Sequence, residues 1–291
     1  MVPQAFLPHP QPHDPEFVRF KEGLKEFYTH PANFYLEPFQ IFGNLYYIGD
    51  KKVCSHLIDT GDGLIVFDTG FRNAIHMQME SIRKLGFDPA DIKYIIHSHE
   101  HFDHFGGSDD FRKLYGCKIC MSAAGTQLLR ERPDRALVHL GPMVEDEIPW
   151  PDVELADGEV LTLGNTSIRC VLTPGHTGGV MTFFFDVTDG EKTLRAGYFG
   201  GAGFLTALRG YSRQFGLPEN MPEQMLQSVE KVWDEHVDIT LGNHPNQNCT
   251  LEKRQWMIDH PGENPFLDET CWHAFLSLLK ERFTELIALD Y

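Results

Sequence analysis

His97-Ser98-His99-Glu100-His101-Phe102-Asp103-His104-Phe105-Gly106-Gly107 sets three imidazoles and Asp103 within the six residues 99–104, directly after an apolar run. That run, Ile92-Lys93-Tyr94-Ile95-Ile96, is rich in β-branched and aromatic residues and reads as a buried strand. The cluster therefore lies where a strand ends and a Gly-Gly pair turns the chain, the place where sites collect in α/β sheets. His99 and His101, two apart, share one side of extended backbone and can close on one cation. Asp103 and His104 follow in the turn and can be aimed at a second. A single histidine here would read as a satisfied core residue. Polar groups crowded this densely at a strand end cost stability unless something such as a metal organises them.

Outward from this stretch the chain alternates strand and helix. Apolar runs predict strands at 39–48, 53–59, 64–68, 92–97, 118–122, 159–163, 167–172, 180–186, 194–198 and 237–241, and 3.6-residue periodicity predicts helices near 73–85, 110–115, 123–130, 222–233, 251–259 and 268–286. The pattern is that of a layered α/β protein. No linker divides residues 39–291, which read as one domain; residues 1–38 read as a separate N-terminal extension. In it, prolines at 3, 8, 10, 12 and 15 make an extended start, Asp14 and Pro15 open a helix, and Phe17, Phe20, Leu24 and Phe27 form an apolar stripe. The stripe packs on the domain, covers the site as a lid, or joins two copies as a homo-oligomer.

Lys and Arg total 25 against 42 Asp and Glu, a formal charge of −17, which repels phosphodiester backbones and argues against nucleic acid as a partner. No stretch approaches the roughly 18 apolar residues of a membrane span, and the N-terminus lacks the basic-then-apolar pattern of a secretory signal. The six cysteines are scattered in apolar runs as small buried hydrophobes; with the missing signal they suggest a reducing, cytoplasmic setting. Cys117-x-x-Cys120 lies in a strand-like context with no second pair, which favours a packing role over redox or zinc chemistry.

The histidine-rich pattern resembles the signature of the metallo-β-lactamase superfamily, and order and spacing agree from about Tyr46 to the C-terminus. Gly63-Leu64-Ile65-Val66-Phe67-Asp68-Thr69-Gly70 resembles that family's strand and turn before its first helix, Thr173-Pro174-Gly175-His176-Thr177-Gly178-Gly179 its third metal motif, and Leu241-Gly242-Asn243-His244-Pro245 supplies a last histidine. The resemblance implies an αββα sandwich with metals at one edge between the sheets. It implies that His99, His101 and His176 hold one metal and Asp103, His104 and His244 a second. Many hydrolytic members place a bridging Asp or Cys after the strand that here ends Tyr198-Phe199, whereas this chain has Gly200-Gly201. That departure, with Gly262-Glu263-Asn264-Pro265-Phe266-Leu267-Asp268 and the hairpin residues Asp157–Gly164, is most similar to the third subclass of metallo-β-lactamases.

The resemblance implies a hydrolase with two Zn²⁺ ions, or iron or manganese in similar ligands, in which a metal-bridging hydroxide oriented by Asp103 opens an amide or ester bond of a small-molecule substrate. The alternatives are a lactonase or thioesterase of the same fold and an iron-dependent oxidoreductase. Asp68 suits a carboxylate that holds the outer nitrogen of a metal-bound imidazole. His56 and His97 read as strand residues with core partners. Tyr211, Ser212 and Arg213, on the segment after Gly200-Gly201-Ala202-Gly203-Phe204, are candidates to contact substrate.

Overall fold

A computed structural model describes residues 25–141 and 143–289. Seven strands form the first sheet in the order β1 to β7: Phe39–Phe42, Leu45–Tyr47, His56–Asp59, Leu64–Phe67, Ile92–Ile96, Lys118–Ser122 and Val153–Leu155. Five form the second, in the order β12, β11, β10, β9, β8: Ile239–Gly242, Thr193–Phe199, Met181–Thr188, Thr166–Leu172 and Val160–Leu163. The first sheet is an antiparallel meander through β4 and parallel from β4 to β7. The second is antiparallel except for the parallel pair β11 and β12.

Three of the apolar cores lie in register with these layers. Between the sheets, Phe67, Ile65 and Ile96 meet Phe183, Phe185 and Tyr198, with Phe67 stacked on Phe185 at 5.3 Å. The outer face of the first sheet buries Val66 and Ile95 against Ile82 of helix α1 (Ile75–Lys84) and Phe111 of α3 (Ser108–Tyr115). The outer face of the second buries Phe184 and Phe199 against α6 (Met221–Lys231) and α8 (Cys271–Leu289), Trp272 and Phe275 included. The continuous apolar run Phe183-Phe184-Phe185 follows from this, because side chains alternate between faces and both faces of β10 are covered. The architecture is the αββα sandwich expected from the resemblance.

Several elements differ from the sequence reading. The single strand expected at 39–48 is a hairpin, turned at Gly43, whose φ of +53° suits glycine. Strand β7 was not expected, because its three residues follow the proline-flanked segment 149–151 and give too short a pattern to read. The motif itself contains a one-turn helix α2 (Phe102–Phe105), and the loop after β11 contains α5 (Arg209–Phe215); α4 (Ala123–Glu131) and α7 (Thr250–Asp259) are further helices. Cys117 and Cys120 face opposite sides of the first sheet, in separate cores, which removes any CxxC pairing; all six cysteines are free and buried.

Of the N-terminal stripe, Phe17, Phe20, Leu24 and the Asp14-Pro15 helix start lie outside the described residues. Phe27 is buried among Phe71, Phe34 and Phe102, so this part of the extension packs on the domain beside the histidine motif. Among the described residues no helix is long and apolar enough to cross a membrane.

Candidate metal centre

Strand β5 ends at Ile96, and the chain crosses the end of the sheet into α2 with His99, His101, Asp103 and His104 all buried. His176 comes from the turn between β9 and β10 and His244 from the turn after β12, so both sheets contribute. The six side chains named from the resemblance come together. His99 Nε2 lies 3.0 Å from His101 Nδ1, which lies 3.2 Å from His176 Nε2. Asp103 Oδ2 lies 3.5 Å from His104 Nε2 and 3.6 Å from His244 Nε2. The two groups adjoin, the His99 and His104 rings being 4.2 Å apart.

The outer nitrogens fix the tautomers. His99 Nδ1 donates to the Gly200 carbonyl at 2.9 Å, His176 Nδ1 to the Gly203 carbonyl at 2.8 Å, His244 Nδ1 to the Lys52 carbonyl at 2.8 Å, and His104 Nδ1 to Asp68 Oδ2 at 2.9 Å. A carbonyl or carboxylate accepts only from N–H, so each of these four rings presents a bare Nε2 lone pair inward. The lone pairs of His99 and His176 both point at His101 Nδ1, which carries at most one proton and cannot serve both. His104 Nε2 is buried with no hydrogen-bond partner at all. Such an arrangement is unfavourable without a cation and favourable around one. Donors 2.0–2.1 Å from a tetrahedral Zn²⁺ stand about 3.3 Å from one another, which matches these separations.

Electrostatics agree. Burial, then repulsion from neighbouring imidazoles, holds His99 and His101 well below the usual histidine range, and burial pushes His176 down to about 4, so all three are neutral ligand forms at pH 7. Burial likewise lowers His244. Burial also opposes the charged form of His104, but Asp103 and Asp68 outweigh it and raise its pKa.

Asp68 accepts from the outer nitrogen of His104 and does more than orient that ring. Its Oδ2 accepts from His104 Nδ1, from Ser98 Oγ at 2.7 Å and from the Tyr198 hydroxyl at 2.6 Å, while Oδ1 accepts from the Ser98 amide at 2.7 Å. Burial raises its pKa, yet His104, Tyr198 and Ser98 together pull it below the usual carboxylate range. Asp68 itself has φ +54°, a left-handed conformation uncommon outside glycine, at the turn that delivers the carboxylate.

Gly200 and Gly201 acquire a positive role here. A Cβ on Gly200 would overlap the Met181 carbonyl oxygen and stand 2.9 Å from that of Ser98; on Gly203 it would meet the His176 ring at 2.9 Å. The loop presses its bare backbone on the histidines, and its carbonyls hold two of them. A bridging carboxylate or thiolate at 200 is excluded by packing as well as by sequence.

Other contributors carry no pattern of their own in the sequence. Thr206 Oγ1 lies 3.0 Å from His176 Nδ1, Asn243 Nδ2 donates to the Gly200 carbonyl at 2.6 Å, and Glu100, fully buried, accepts the Gly179 amide at 3.3 Å and so ties the His176 turn to the main motif. Tyr28, whose hydroxyl donates to the Leu140 carbonyl at 3.3 Å, has its pKa raised by burial and then by Asp103, which places the N-terminal segment at the edge of the centre. His97 reaches Ser108 at 2.6 Å, and His56 packs edge-on against Tyr47 and Tyr198. Tyr211, Ser212 and Arg213 lie on α5. The Tyr211 hydroxyl accepts from Arg135 at 3.3 Å, Ser212 is buried, and Arg213 pairs with Glu219 at 2.8 Å on the surface.

Residues 49–189 match the metallo-beta-lactamase superfamily. A subclass B3 metallo-beta-lactamase of Bradyrhizobium japonicum superposes with TM-score 0.76 and 28% identity over 88% of this chain and 95% of that one. A hydroxyacylglutathione hydrolase of Methylococcus capsulatus is 34% identical over 141 residues, 48% of this chain and 43% of that protein. A probable polyketide biosynthesis zinc-dependent hydrolase of Bacillus subtilis is 27% identical over 96 residues, 33% of this chain and 36% of that protein. The chain thus spans less than half the length of these two curated relatives.

Proposed function

From the premise that the chain carries a metallo-beta-lactamase superfamily domain with the fold of the subclass B3 enzymes, we propose that it is a metal-dependent hydrolase acting on an amide or ester bond of a small molecule. His99, His101 and His176 hold one ion, and Asp103, His104 and His244 a second. The nitrogen and oxygen donor set and the zinc-dependent relative favour two Zn²⁺ over iron or manganese. When bound, such ions bring the pKa of water down to about 7 and polarise a carbonyl.

The protein's own part is positional. Asp68, Gly200, Gly203 and Lys52 hold the imidazoles by their outer nitrogens, so the ligand geometry is set before any substrate arrives. Asp103 Oδ2 lies beside His104 and His244, and the second oxygen of that carboxylate would orient the attacking water and take its proton. The observation that carries the proposal is the convergence of the bare His99 and His176 nitrogens on His101 Nδ1, which one proton cannot satisfy, beside a buried His104 Nε2 with no hydrogen-bond partner.

The B3-like fold and the absence of a protein bridge at Gly200 favour a β-lactam or related amide. The hydroxyacylglutathione hydrolase relative favours thioesters as the second reading. Nitrocefin, an acyl-homoserine lactone and an acylglutathione, assayed with metal-loaded and chelator-stripped protein, test both. Metal-dependent turnover of one or more supports the proposal; oxygen consumption with a thiol by an iron-loaded protein, without hydrolysis, overturns it.

A further inference from the structure

Away from the metal centre, Lys253 on α7 is wholly buried, and its Nζ lies 3.6 Å from Sγ of Cys271, itself 1% exposed at the start of α8. The amine also lies 5.4 Å from the centroid of the Phe266 ring. Among the described residues no carboxylate pairs with Lys253. An amine removed from water normally sits against a carboxylate; this one sits against sulfur. Cys249 precedes it by one helical turn, the Lys253 amide bonding the Cys249 carbonyl at 2.9 Å. Burial pushes the Cys249 thiol up to about 12.

We propose that Lys253 and Cys271 form an oxidation site at which a peroxide closes a covalent Nζ–Sγ bridge between α7 and α8. The peroxide O–O bond breaks as Sγ is oxidised from thiol to sulfenic acid, with release of one water. The Lys253 ammonium first gives one proton to solvent, and the neutral Nζ lone pair then attacks Sγ. The N–S bond forms, the S–O bond breaks and the hydroxyl leaves as a second water with one proton from the nitrogen. One peroxide is reduced and one thiol loses two electrons, so no further reactant is needed. The contact already meets the geometric requirement, because attack needs the amine nitrogen within van der Waals reach of sulfur. The bridge would tie α7, which begins six residues after His244, to the C-terminal helix that covers the second sheet.

The test is mass spectrometry of the full-length protein after hydrogen peroxide and alkylation of the remaining thiols. Before alkylation the expected product is about 2 Da lighter than the untreated chain, and after it the product carries one alkyl group fewer than the untreated chain alkylated in the same way. It yields a linked peptide pair containing Lys253 and Cys271, resists trypsin after Lys253 and is reversed by dithiothreitol. It persists in Cys249→Ser and disappears in Lys253→Arg. A cross-link lost in Cys249→Ser identifies a Cys249–Cys271 disulfide and overturns the proposal. So does Cys271 recovered as free thiol or as sulfinic acid with Lys253 unmodified.

Discussion

Asp68→Asn is the most discriminating perturbation of the centre, because it changes charge and one acceptor while leaving volume in place. The asparagine Oδ1 still accepts the Ser98 amide, and the Ser98 and Tyr198 hydroxyls can rotate to accept from its NH₂ group. The His104 Nδ1–H cannot. Either it stays unpaired in a buried site, costing about 1.5–3 kcal/mol for a lost hydrogen bond to a charged acceptor, or the ring moves its proton to Nε2 and so blocks the inward lone pair. Both routes weaken the ion held by Asp103, His104 and His244, by about 10–100-fold, and leave the other ion near its parental affinity. Chelator competition that resolves two binding steps reads the affinities, and urea unfolding of metal-free protein reads the stability. Retention of both steps at parental affinity would refute the assignment of Asp68 to His104 and the two-centre geometry built on it.

Further consequences follow from the same structure. Gly200→Asp should not create a bridging ligand; with its Cβ pressed on the Met181 and Ser98 carbonyls it should destabilise the fold by about 1–3 kcal/mol, measured by urea denaturation, and lower metal content by displacing the loop that holds His99. A stable Gly200→Asp protein with tighter metal binding would contradict the packing argument. His101→Ala should abolish hydrolysis and remove about one equivalent of metal by elemental analysis, and His244→Ala should remove the other; loss of both from either variant would show one coupled site instead. Metal-free protein should grow more stable as pH rises from about 4 to 6.5. Burial holds His56, His97 and His176 near 4 and lowers His99, His101 and His244, so these six bind fewer protons folded than unfolded, against His104, Asp50 (raised to about 6 by burial) and Glu100 with the opposite sign. Chemical denaturation across that range should give a net slope above about 1.4 kcal/mol per pH unit, more than one proton; a flat profile would contradict it.

The main motif was legible because its donors fall within the six residues 99–104, just after a strand whose apolar run announces it. His176 and His244 lie 72 and 140 residues beyond His104 and were reached only through the resemblance, since nothing local in a Thr-Pro-Gly-His turn says where it folds. The sandwich was legible for a related reason: runs such as Phe183-Phe184-Phe185 need cover on both faces. What was not legible is what holds the ligands. Gly200 and Gly203 act through backbone carbonyls that any residue possesses, and their glycine identity becomes meaningful only when Met181 and His176 are seen against them. Tyr198 reaches Asp68 across 130 positions, through a hydroxyl that its strand pattern presents as core. No helix was expected around Tyr211, Ser212 and Arg213, which lie on α5, held by Arg135 and Glu219. Short elements such as β7 gave too few residues for a period to show.

The account stands most directly on metal titration of the chelator-stripped protein, followed simultaneously by bound equivalents and by hydrolysis of nitrocefin and an acylglutathione. The expected result is two equivalents, hydrolysis of at least one substrate that appears with metal and is absent without it, and loss of hydrolysis together with part of the second equivalent in Asp103→Asn. A protein that takes up no metal, or hydrolyses equally well without it, contradicts the central claim.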